Sequence, residues 1–294
     1  MTNNSNNSTL VTQNSTLVTQ NSTLVTQNST LVKVPVYNIN GEKTKEIKLP
    51  SLFNFEIRPD IIKRAVVALQ SSRRKVYGPG KDAGMKHVVE WWGKGRGVAR
   101  TPRLKNSNRG AQAPNTVGGR RAHPPKLNKN YSKKLNKKES RIARASALSA
   151  TAKKEFVKSR GHIFDDSITL PVIVDESVVS EKKSSQIINF LKNLKIYDDI
   201  VRAKNGTKIR AGKAKMRNRK YKVPRSILFV HSSSDGFIGA RNLPGTDVVS
   251  LSNLNTEHLA PGGIPGRLTV YSLSAIQQFR AQQRAQQGGM PGEN

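Results

Sequence analysis

The chain has 294 residues, 35% of them hydrophobic, no cysteine, and a formal net charge of +32. That content supplies one core rather than two, and the missing cysteine excludes a disulfide framework, thiolate metal sites and a Cys nucleophile. No apolar run approaches the roughly 20 residues of a membrane-spanning helix, and the N-terminus has neither the basic nor the apolar region of a signal peptide, so the protein is expected to be soluble and intracellular.

Residues 9–32 repeat TLVTQNS three times and then give TLV again. Leu and Val stand side by side in each unit, which is not the alternation of a coiled-coil seam, so residues 1–33 are expected to be a disordered low-complexity arm. From Val34, VPVYNINGEKTKEIKLP predicts two strands around a tight Asn40–Gly41 turn. RPDIIKRAVVALQSS predicts a helix: Pro59 suits its first turn, Asp60 complements its dipole, and Ile61, Ile62, Ala65, Val66 and Leu69 share one face.

Residues 74–138 then leave this texture. Between Trp91 and Lys138 there are 14 Lys or Arg residues and no Asp or Glu, with Gly and Pro interrupting any regular element. The segment cannot bury enough apolar surface to offset its ordering entropy, so it is expected to be a long extended loop, mobile unless a polyanion orders it. Fully extended and doubled back, it would reach on the order of 100 Å.

A second helix is predicted over Glu139–Lys158, with Ile142, Ala145, Leu148, Ala152 and Phe156 on a narrow stripe and small residues allowing close packing. LPVIV (170–174) and SILFV (226–230) are continuous apolar runs expected of strands covered on both faces, and DVVSL and LTVYSL are weaker strand candidates. A helix over Glu181–Lys195, capped by Ser180, is predicted between the first two. This alternation predicts an α/β fold: a single layered body over residues 34–280 with a mainly parallel sheet flanked by helices. A last helix is expected from Ser274, and a flexible tail over 281–294.

The charge is localised. Arg202–Arg225 adds 11 cations without an acid; the 25 cations of the two stretches leave 26 against 19 acids elsewhere. A solvated face normally mixes signs, so these stretches point to nucleic acid. Trp91, Trp92 and Tyr131 offer stacking surfaces, although the Trp pair would equally serve to seal the root of the loop.

Motifs for chemistry fail one by one. GTKIRAGKA has five residues between its glycines rather than four, with Ala214 where a phosphate loop needs Ser or Thr; GKGRG and GPGKDAG lack the dinucleotide spacing. The five histidines have no metal spacing, and His231 near Asp235 lacks a nucleophile elbow. Asp165, Asp166, Asp198 and Asp199 read as solvated carboxylates on exposed turns. No cofactor, small-molecule substrate or enzymatic activity is therefore expected. A nucleotide-dependent enzyme with a basic docking arm and a DNA-compacting protein are the competing readings.

WGKGRGVARTPR, GGRRAHPPK, ASALSATA with SRGH, KIRAGKAKMRNRKYK and LAPGGIPGRLTVYSLSA resemble, in order, segments of the fourth protein of the large ribosomal subunit in its archaeal and eukaryotic form, over about Val34–Phe279. The resemblance implies an α/β body on the large subunit surface and a loop threaded through large-subunit ribosomal RNA, bound early in assembly. It also implies neighbouring ribosomal proteins and, near the loop tip, the nascent chain in the polypeptide exit tunnel. Lys94, Arg96, Arg100 and Arg103 fall in the family's RNA-clamping segment, and Arg210, Lys213, Lys215, Arg217 and Arg219 in a second RNA-contacting segment. Arg73, Arg74, Trp92, Lys105, Arg109, Arg120, Arg121, Lys126, Lys133, Lys134 and Lys220 are the remaining candidate RNA contacts. The tip is expected between Arg103 and Arg121.

Overall fold

A computed structural model describes residues 32–232 and 235–288, with side chains as far as Gln283 in the last helix. The repeat arm before Val32 and the tail end, 289–294, lie outside the described residues. The chain divides into two compact units, Ala68–Lys134, called the insertion below, and the residues on either side of it, called the body.

Ten strands are found among the described residues: β1 Lys33–Tyr37, β2 Lys43–Lys48, β3 Val89–Glu90, β4 Arg103–Leu104, β5 Val172–Val174, β6 Lys208–Ile209, β7 Tyr221–Lys222, β8 Leu228–His231, β9 Asp247–Ser250 and β10 Thr269–Ser272. Six form the body sheet in the order β2-β1-β5-β10-β8-β9. Only β1 and β2 run antiparallel, joined around Asn40–Gly41 by a wider turn than the Asn-Gly pair predicts: Gly41 N donates to Asn38 O and Asn38 N to Glu42 O. The other pairings are parallel, as the continuous apolar runs predict.

Successive side chains of a strand point to opposite faces, and the core divides accordingly. On one face Val172, Val174, Phe229 and Val270 pack with Ile187, Phe190 and Leu191 of the helix Ser184–Asn193. On the other, Ile173, Leu228, Val230 and Tyr271 pack with Ile62 and Val66, Leu148, and Ile276 and Phe279 from three further helices. The body is thus a three-layer α/β/α arrangement, each fully buried side chain of this size contributing about 1.5–3 kcal/mol.

The helices are α1 Pro59–Ser72, α2 Lys137–Ala152, α3 Lys154–Ser159, α4 Glu176–Val179, α5 Ser184–Asn193, α6 Tyr197–Asn205, α7 Thr256–Leu259 and α8 Leu273–Gly288. α1 matches its prediction, burying Ile61, Ile62, Ala65 and Val66. The helix expected over Glu139–Lys158 is instead two, broken at Lys153, whose backbone is extended (φ −95°, ψ 115°). Its buried face is also broader than the expected stripe: Ala143 and every residue from Ser146 to Thr151 are buried, which Ala and Ser permit by letting the backbone approach its neighbours.

The helix expected over Glu181–Lys195 begins only at Ser184, and Ser180 ends the short α4, with its amide donating to Glu176 O. The carbonyls of Val179 and Glu181 accept from Phe237 and Gly239, which holds 181–183 out of the helix. Arg267 is fully buried. Its guanidinium pairs with Asp247 at 2.7 Å and donates to the carbonyls of Ser226 and His258, both at 2.9 Å, so a charge that sequence assigns to the surface pins β9 and β10 together.

Candidate nucleic-acid interface

The insertion consists of two arms folded against one another. At its root, the Arg74 guanidinium lies 4.2 Å from the centre of the Tyr131 ring, with the Lys129 ammonium at 5.3 Å. Further along, Gly78 abuts Pro125, where a Cβ would stand 2.7 Å from the carbonyl oxygen, and Gly84 abuts Arg120, where it would stand 2.6 Å from the amide nitrogen. No side chain fits at either contact, so these glycines let the arms close. Gln112 then donates to the carbonyls of Met85, at 3.0 Å, and His87, and β3 pairs antiparallel with β4.

At the end remote from the Arg74–Tyr131 contact lie two turns, 91–102 between β3 and β4, and 105–108, closed by Leu104 N to Arg109 O at 3.1 Å. The tip expected between Arg103 and Arg121 contains only the second; 110–121 runs back along 84–87. Trp92, in the first turn, has Arg103 5.1 Å and Arg96 5.8 Å from its ring centre. It does not seal the root, a position held by Tyr131.

The candidate cations Arg73, Arg74, Lys94, Arg96, Arg100, Lys105, Arg109, Arg120, Arg121, Lys126, Lys133 and Lys134 are all exposed. Arg103 differs: half-buried over Trp92, it donates to the carbonyls of Ala99, at 3.3 Å, and Asn108, so it holds the two turns together. In the body, β6 and β7 form a hairpin that carries Arg210, Lys213, Lys215, Arg217, Arg219 and Lys220, all exposed. Arg210 N donates to Lys220 O at 2.8 Å and Arg219 N to Ala214 O at 3.2 Å, and Asn218 takes the left-handed conformation (φ 57°) that turns the chain.

The root of this hairpin rests on a carboxylate that the sequence pattern places on an exposed turn. Asp199 is fully buried and accepts from Ser226 Oγ (2.6 Å), Arg202 Nε (2.9 Å), His162 Nδ1 (3.0 Å) and Ile163 N (3.1 Å). Arg202 also donates to Arg225 O, so it joins the two ends of the segment from which the hairpin extends. Burial pushes the Asp199 carboxyl up, but the hydrogen bonds from His162 and Arg202 prevail and bring it to about 2. Burial holds His162 below its usual value against the pull of Asp199. The neutral ring donates from Nδ1, and its Nε2 is buried without a partner, so protonation there would strand an N–H. Two adjacent aspartates in sequence gave no signal of this; the clue was Ile200 and Ala203, which place Asp199 on the buried side of α6.

The hairpin segment also shows why its glycine pattern is no phosphate loop: GTKIRAGKA carries the two-residue β6 and leads into a short 3-10 helix, Gly212–Arg217, on an exposed hairpin rather than from a sheet strand into an α-helix. No helix among the described residues is long and apolar enough to cross a membrane.

The described residues thus combine a layered α/β body with cation-rich, acid-poor segments exposed at the surface. The family follows from comparison with known proteins: the model of the ribosomal protein L4/L1 family matches residues 47–282, and the chain belongs to that family. Among its relatives, large ribosomal subunit protein uL4 of Archaeoglobus fulgidus is 47% identical over 247 residues, 84% of this chain and 97% of its own length. The uL4 of Methanocaldococcus jannaschii is 47% identical over 250 residues (85% and 98%), and that of Methanosphaera stadtmanae 45% over 248 (84% and 96%). The resemblance carried by the five sequence motifs is therefore correct.

Proposed function

We propose that this protein is a structural, non-enzymatic constituent of the cytoplasmic large ribosomal subunit. It binds large-subunit RNA early in assembly, and the two turns at the end of the insertion help to form the polypeptide exit tunnel beside the nascent chain. The supporting observation is the exposed cations of the insertion: none from Lys75 to Lys134 is engaged in an ion pair among the described residues, whereas body cations such as Arg202, Arg225 and Arg267 are. Unpaired cations are free to replace the counterions of RNA phosphates.

The relatives' names place them in the large subunit, and 97–98% coverage of two of those proteins makes the same assembly the natural one for this chain. Binding of the full chain to large-subunit RNA across a salt series tests the RNA part. If about ten phosphates are neutralised, the log–log slope is roughly −7 to −9. Replacing Arg210, Arg217 and Arg219 together by Ala should flatten it by about one for each phosphate no longer neutralised. A flat salt response, or equal competition by duplex DNA, contradicts the reading.

A further inference from the structure

We propose that the insertion holds a site for one unpaired ribonucleotide, in the cleft between residues 79–83 and 121–124, with the base stacked on Tyr77. The proposal rests on the RNA-binding reading and adds a defined subsite to it.

The arms touch at Gly78–Pro125 and at Gly84–Arg120, and between these two contacts they part. The space left is a cleft of about 620 Å³, and a second of about 580 Å³ adjoins it on the side of Lys126, Asn128 and Lys129; both are lined by Tyr77, Arg121, Pro124 and Pro125. Each lies within the roughly 300–1,000 Å³ of small-molecule clefts. At Gly80 and Gly118, which line the larger cleft, nothing stands within 4 Å of where a Cβ would be, so the walls stay low and the space is open to an entering base.

The chemistry of the lining selects the occupant. Pro79, Pro124 and Pro125 give rigid apolar walls, and proline's fixed φ means that little order must be gained on binding. Lys81 and Arg121 in the larger cleft, and Lys126 and Lys129 in the smaller, supply positive charge, and no carboxylate lines either. An apolar slot ringed by cations matches a base with its flanking phosphates.

Tyr77 is the aromatic ring that lines both clefts. It is 60% exposed, whereas Trp92 and Tyr131 already carry guanidinium or ammonium groups. Unpaired bases stacked on aromatic side chains are the usual means of specific RNA recognition, and an exposed ring beside apolar walls suits a base splayed out of a helix.

The test uses the full chain and a single-stranded oligoribonucleotide carrying one 2-aminopurine, with wild type, Tyr77→Ala and Tyr77→Phe compared at equal melting temperature. Wild type and Tyr77→Phe should quench the fluorophore on binding. Tyr77→Ala should not, and should bind roughly 5- to 150-fold more weakly with an unchanged salt slope, because the substitution removes a stacking surface and leaves the phosphate-binding cations in place. Wild-type affinity and quenching in Tyr77→Ala, with a steep salt slope intact, would overturn the cleft and leave the RNA reading standing; equal loss in Tyr77→Phe would overturn the stacking. Absence of any salt-sensitive RNA binding by wild type would overturn both.

Discussion

Deleting Lys94–Lys126 should leave the body folded and impair stable incorporation into large ribosomal subunits. None of the residues in the three hydrophobic clusters lies in the deleted stretch, so the unfolding midpoint of the body should not move. The deletion does remove nine Lys or Arg residues and both turns remote from the Arg74–Tyr131 contact. Salt-dependent affinity for large-subunit RNA should therefore become shallower by about 0.7–0.9 in log–log slope for every phosphate that these cations neutralise in the wild type. Circular dichroism on the purified variant and its distribution across a sucrose gradient of a cell extract provide the two readouts. Subunits that retain the variant at wild-type occupancy would show that the body alone docks the protein.

Asp199→Ala has the largest expected effect on stability. Removing one partner of a buried ion pair costs about 3–5 kcal/mol, a large share of the roughly 5–15 kcal/mol that stabilises a domain. Here it also strands the buried donors of His162 and Ser226. The exposed Lys158–Asp166 pair is the control, and Asp166→Ala should cost no more than about 1 kcal/mol in the same denaturant titration. Equal losses at the two positions would mean that the four-donor arrangement carries no special weight.

The same group sets a pH dependence. The Asp199 carboxyl titrates at about 2 in the fold against an ordinary 3.8, so its contribution, about 2 kcal/mol, is full above about pH 4 and is lost as pH falls toward 2. His162 acts at higher pH in the same direction. Its folded value lies below 6.5, so the unfolded chain takes up the proton first and stability declines as pH drops below 6.5. His162→Gln should flatten the fall of the melting temperature between about pH 6.5 and 5, with His258, also lowered by burial, supplying what slope remains.

What could be read from sequence follows from how local each signal is. LPVIV and SILFV are visible because a strand covered on both faces needs consecutive apolar residues, and α1 because its apolar spacing matches the helical period. The limits of α3 and α5 are not visible in this way because they depend on tertiary partners: Lys153 is extended, and Phe237 and Gly239 claim carbonyls that a helix through 181–183 would need. Asp199 and Arg267 are hidden for a related reason, since a charged residue reads as surface until its partners, distant in sequence, are assembled around it. The cations of the insertion are legible one by one. Their division into Arg103, which braces the turns, and exposed neighbours such as Arg100 and Lys105 is not, because it depends on how the arms fold together.

Whether unpaired cations on the insertion and hairpin bind the protein into folded ribosomal RNA, rather than coating its surface, is decided by washing isolated large subunits at high salt. The protein should remain with the subunits after a wash that strips an added, unrelated protein of similar net charge. Its release in step with that adsorbed control would mean that the cations only coat the RNA.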